Sequence, residues 1–122
     1  IPYVPFQDYS PVRVYQGNRL IRKDTFNLDY PKIDIFKQDW NEVVNKLRHA
    51  DLLVTERHHE AYAALKAKCK FIALPSNTHK NEGIYLNAGV PPINSLEYIH
   101  DVLNGWYDRE FSKIFNYYEK RI

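Results

Sequence analysis

Two short apolar runs constrain the fold more than any other feature of the chain. Asp51-Leu52-Leu53-Val54-Thr55 and Lys70-Phe71-Ile72-Ala73-Leu74 each have the length and branching of a buried strand, and Pro75 stops the second. Between them lies an alanine-rich stretch, from about His58 to Lys68, with Ala61, Ala64 and Leu65 on one helical face. A strand, a helix and a strand in succession need a crossover, and a crossover makes the two strands parallel. The remaining pattern extends this unit. Residues 32–36 alternate after Pro31 and predict a further strand. Trp40, Val43, Val44 and Leu47 recur at helical spacing behind Asp39, with Glu42 completing a capping-box pattern.

The flanks are less regular. Residues 1–11 carry two prolines before Pro11 and read as an extended lead-in. Val12–Gln16 reads as a short strand ending at the turn signal Gly17-Asn18, and the basic segment 19–24 fits no single pattern. Residues 76–83 read as a polar loop, followed by a short helix ending at Gly89. Residues 95–122 hold two amphipathic helices. Leu96, Ile99, Val102, Leu103 and Trp106 mark the first; Phe111, Ile114, Phe115 and Tyr118 mark the second. The expected class is α/β, a Rossmann-like parallel sheet flanked by helices. With so few strands, the chain reads as a single domain over residues 1–122, either small and independent or one lobe of a longer two-lobed protein.

Composition narrows the partners. The 122 residues carry 17 Lys+Arg against 15 Asp+Glu, a formal charge of +2, so nucleic acid is not an expected partner. No apolar run approaches the ~20 residues of a membrane span, and no signal-peptide pattern is present. One cysteine, Cys69, cannot form an internal disulfide, and a reducing cytoplasm is the expected compartment. No partner is spaced to use that thiol, so packing is its expected role. Many of the ten tyrosines fall at apolar helical positions and are assigned to packing as well.

Candidate chemistry concentrates where chains leave parallel strands, because ligands bind beyond the carboxyl ends of such strands. One exit, Thr55-Glu56-Arg57-His58-His59-Glu60, enters the alanine-rich helix; the other is Ser76-Asn77-Thr78-His79-Lys80. A helix start offers unpaired N–H groups and partial positive charge. Arg57 adds a planar fork for phosphate or carboxylate, and His58 and His59 add donors. Thr78, His79 and Lys80 face the same cleft from the second exit. The expected anion-binding set is Arg57, His58, Lys80, His79 and Thr78. Adjacent helical side chains point about 100° apart, so only one of the two histidines is expected to serve a given ligand. The spacing His58-His59-Glu60 matches no zinc motif, and no metal or cofactor is expected.

The run from Ala50 to Gly83, ADLLVTERHHEAYAALKAKCKFIALPSNTHKNEG, resembles the carboxyl-terminal lobe of polysaccharide pyruvyl transferases, a family with the two-lobed GT-B type of fold. That family has an ADLVI-like strand, S-x-R-x-H-G, an alanine-rich helix, a second strand and then a lysine. Arg57 and His59 match R-x-H, and Lys80 matches the lysine, whereas Glu60 replaces the family's glycine. The resemblance implies a transferase with His59 and Arg57 in catalytic roles. Its donor would be phosphoenolpyruvate, or a nucleotide sugar in related glycosyltransferases, and its acceptor a sugar or polysaccharide. The alternative reading is a non-catalytic Rossmann-like module that binds a nucleotide or a protein.

Overall fold

The computed structural model describes residues 5–7, 11–16, 19–25, 30–31, 33, 38–76 and 79–122. Among these residues the elements in order are β1 Pro5–Gln7, β2 Pro11–Gln16, β3 Arg19–Thr25, α1 Trp40–Arg48, β4 Leu52–Thr55, α2 His58–Ala67, β5 Phe71–Ala73, α3 Lys80–Asn87, α4 Ile99–Leu103 and α5 Asp108–Glu119. The class is mixed α and β, built on a small parallel sheet of order β1-β4-β5, with β2 and β3 paired apart as an antiparallel ribbon.

β4 and β5 pair in parallel, Leu53 opposite Phe71 and Thr55 opposite Ala73. The ladder closes through Leu53 N to Lys70 O at 2.9 Å and Leu74 N to Thr55 O at 2.7 Å. Both strands are buried along their whole length, which is why their sequences run apolar without alternation. α2 crosses between them. Ala61, Ala63 and Ala64 are buried completely, and these small side chains let the helix axis lie close to the sheet. α1 packs against α2, with Val43, Val44 and Leu47 buried. Its start is as the sequence indicates: Glu42 N donates to Asp39 Oδ1 at 2.9 Å.

Among the described residues no strand pairs with the far edge of β5, and a side chain meets that edge instead. The Tyr85 hydroxyl donates to Phe71 O at 3.1 Å and accepts from Ala73 N at 2.8 Å. Its ring stacks on Phe71 with centroids 5.2 Å apart, and Phe111 meets the same Phe71 edge-on at 5.7 Å. The exposed edge of β5 is thereby closed by α3 and α5. Tyr118 holds these two helices together by donating to Ile84 O at 2.9 Å.

Several expectations change. Pro5–Gln7, read as part of the lead-in, forms β1 and pairs in parallel with β4, Pro5 opposite Leu52. Three residues with a proline have no period to detect, so only the neighbouring strand reveals this one. The segment expected as a strand at 32–36 lies outside the described residues, apart from Ile33, which is buried in the core. The first of the two carboxyl-terminal helices is shorter than its apolar spacing indicates. A 3₁₀ turn, Leu96–Tyr98, leads into α4, and the chain leaves the helix through Gly105 at φ +86°. Trp106, counted on the apolar face, therefore stands 74% exposed.

α2 ends in a Schellman closure, with Cys69 N donating to Ala64 O at 2.8 Å and Lys68 N to Leu65 O at 3.2 Å. The left-handed position, φ 55°, is held by Lys68 rather than by glycine. Cys69 behind it is buried, and burial pushes its thiol up to about 12, so it packs rather than reacts. A side chain in this conformation costs about 1–2 kcal/mol. The Lys68–Glu119 ion pair, 3.3 Å long with both partners more than half exposed, offsets little of that. Lys68→Gly should raise stability by about 0.5–1 kcal/mol after the added freedom of the unfolded chain is counted, measured as a shift in urea midpoint at constant m.

Candidate functional site

The site is built from the two chain segments that leave β4 and β5. Asn81, the second residue of α3, ties them together. Its side chain is 1% exposed, and its Nδ2 donates to Glu56 O and to Leu74 O, both at 2.8 Å. Two carbonyl acceptors fix the orientation of the amide, since only the NH₂ end can face both. The two carbonyls belong to the residues directly after β4 and β5, so one amide sets the separation of the strand exits.

Thr55 organises the turn into α2. Its Oγ1 accepts from Arg57 N at 3.0 Å and donates to Glu60 Oε2 at 2.7 Å. Glu60 is thus drawn inward, to 1% exposure, under the first turn of its own helix. A carboxylate that would repel an anion at the position of the family's glycine is turned away from the surface.

What remains at these helix starts is a set of basic side chains. Arg57 is the N-cap of α2, and His58 and His59 are its first two residues; His79 is the N-cap of α3, and Lys80 its first residue. Neither N-cap side chain accepts a hydrogen bond from its helix. Positive charge at a helix start opposes the macrodipole by about 0.3–1 kcal/mol per group, so both helices carry the charge that a folding argument alone would avoid. The usual first-turn acids are present but engaged: Glu60 with Thr55, and Glu82 with His79 Nδ1 at 2.9 Å.

Between the two helices runs an open groove of about 340 Å³, lined by His58, Tyr62, Lys80, Gly83, Ile84 and Asn87. It brings together two of the expected residues, His58 and Lys80, from different strand exits. The others stand elsewhere. His59 is exposed on α2 and Arg57 is half-buried at its N-cap, and neither lines the groove. His79 is 97% exposed, paired with Glu82 in solvent. Thr78 lies outside the described residues. Lys80, expected on a polar loop, instead opens α3 and lines the groove with His58.

The two adjacent imidazoles, expected to diverge, have centroids 4.1 Å apart at 34°. The 100° rotation separates their Cα positions around the helix, and the side-chain torsions bring the two rings together. Partial burial lowers the His58 pKa below its usual 6.5, and His59 and then Lys80 lower it further. His58 is therefore neutral at pH 7, a proton acceptor beside an ammonium. Tyr62, one turn on, presents its ring to His58 in an edge-on contact at 6.0 Å. The residues that sequence reasoning missed, Tyr62, Gly83 and Asn87, carry no motif; they follow from the helical spacings His58/Tyr62 and Lys80/Gly83/Asn87 once the helices are known to face each other.

Compared with family models, curated proteins and solved structures, the chain gives no match in any of the three. No helix among the described residues is long and apolar enough to cross a membrane.

Two outcomes follow from this geometry. Asn81→Ala orphans two buried carbonyls and should cost about 2–3 kcal/mol in chemical denaturation. His58, its folded pKa depressed, leaves stability flat above about pH 7.5, where it is neutral in both states. As pH falls through 6.5 the unfolded chain takes up the proton first, and stability declines until the folded imidazole also protonates. His58→Gln should flatten that segment of the curve, read from urea midpoints between about pH 5 and 8.

Proposed function

We propose that this protein binds a phosphate-bearing small molecule between α2 and α3, and that it acts as the donor-binding lobe of a transferase that modifies a sugar or polysaccharide. The observation that carries this reading is the meeting of His58 and Lys80 in one groove, from two different strand exits, with no carboxylate among its described lining residues. Lys80 supplies the point charge that a phosphate needs, and the amino ends of two helices add to it. His58, neutral at pH 7, is the base available inside the groove, able to accept a proton from an attacking hydroxyl.

The resemblance to pyruvyl transferases assigns the chemistry to Arg57 and His59, which flank His58 in the chain. In this reading the shift by one residue moves the acting imidazole from His59 to His58. Arg57 stays at the N-cap, outside the groove, and takes no direct part in this reading, whereas a Rossmann-like lobe remains the architecture proposed for the whole. The donor class is phosphoenolpyruvate or a nucleotide sugar.

Calorimetric titration with phosphoenolpyruvate and with inorganic phosphate tests the reading. Lys80→Ala should weaken binding of both by about 1.5 kcal/mol, the lower value for a hydrogen bond to a charged group, because Lys80 is exposed. A bound anion stabilises the imidazolium, so saturating phosphate should raise the His58 pKa, followed by NMR of the imidazole protons. Affinity that is indifferent to Lys80, with an unmoved His58 titration, would overturn the proposal.

A further inference from the structure

We infer that the groove takes a phosphorylated ring compound, and that Gly83 is the residue that admits the ring. This rests on the phosphate reading above and goes beyond it to the body of the ligand.

The groove, about 340 Å³, falls within the ~300–1,000 Å³ of small-molecule sites and is larger than a bare anion requires. Its lining is polarised. Lys80, Gly83, Ile84 and Asn87 form one stripe of α3, roughly 10 Å long at the helical rise of 1.5 Å per residue. His58 and Tyr62 form the facing stripe of α2. The Lys80 ammonium and the His58 imidazole occupy one end. The other end offers the Tyr62 ring and the Asn87 amide. An anion held at the first end directs the rest of its molecule along α3 toward an aromatic face and an amide.

Gly83 lies midway, and the protein itself has no need of a glycine there. Its φ is not positive, unlike those of Gly89 and Gly105, so no turn requires it. A Cβ at Gly83 would meet nothing within 4 Å, so no neighbouring element requires it either. Glycine inside a helix is unfavourable relative to alanine. The missing side chain leaves open the wall of the groove opposite Tyr62, where a ring can lie on the backbone of α3. A sugar ring and an aromatic ring share this geometry, a flat face on Tyr62 with a polar atom toward Asn87.

The experiment is an NMR chemical-shift titration of the whole chain with inorganic phosphate, glucose 6-phosphate and phenyl phosphate, on the parent, Gly83→Ala, Gly83→Leu and Lys80→Ala. At least one ring phosphate should bind about tenfold or more tightly than inorganic phosphate, the order expected for stacking one ring on an aromatic side chain. The ring phosphate that gains shows whether the groove favours a sugar or an aromatic ring. Gly83→Leu should remove that advantage and leave inorganic phosphate binding unchanged, with Gly83→Ala between the two. The Tm of both variants should equal or exceed that of the parent, which separates a blocked groove from a damaged fold. Ring phosphates that bind no better than inorganic phosphate, or an advantage that survives Gly83→Leu, would overturn the inference while the phosphate site stands. Inorganic phosphate that fails to bind, or binds equally to Lys80→Ala, removes the phosphate site and this inference together.

Discussion

Parallel pairing of β4 with β5 cannot be made by a tight turn, and this obligation shapes the rest of the molecule. The chain must return across the sheet as α2 before β5 can begin, so both strand exits open at the same edge and both are followed by a helix start. Backbone N–H groups and positive helix ends collect there whatever the side chains are. The basic residues Arg57, His58, His59, His79 and Lys80 then occupy positions where a helix by itself would favour acids.

The polar groups beneath the site are held as a unit. Thr55 connects the Arg57 amide to the Glu60 carboxylate, and Asn81 connects the carbonyls of Glu56 and Leu74. The bonds of Glu60 and Asn81 are buried, where an unmet partner costs about 1–3 kcal/mol, so the exits have little freedom to separate. Such a base suits a site whose exposed groups must keep a set distance across a groove. At the opposite side of β5, Tyr85 serves the same end by satisfying a strand edge with one hydroxyl, which leaves α3 seated firmly enough to carry Lys80 and Gly83.

His58 shows how placement decides chemistry between two identical neighbours. His58 and His59 have the same side chain and adjacent positions. One lines the groove and is kept neutral by burial, by its neighbour and by Lys80; the other faces solvent. The family-like spacing R-x-H points to His59, whereas the groove selects His58. The difference follows from position on the helix: His58 shares its face of α2 with Tyr62, four residues on, which lines the same groove, and His59 does not.

The crossover unit was legible in the chain itself. Leu52–Thr55 and Phe71–Ala73 are apolar without alternation because both faces of a parallel strand are covered, and Asp39 announces the start of α1 by a bond three residues long. Local chemistry of this kind leaves its mark in local sequence, and so does the collection of basic residues at the strand exits. What the chain could not announce depends on contacts distant in sequence. β1 is three residues long and exists through its pairing with β4. Trp106 continues an apolar spacing yet lies past Gly105, where the backbone has already turned. Tyr85 and Asn81 look like ordinary helical positions until β5 lies beside them. The groove likewise exists because α2 and α3 face each other, and neither helix alone determines which of its residues meet across it.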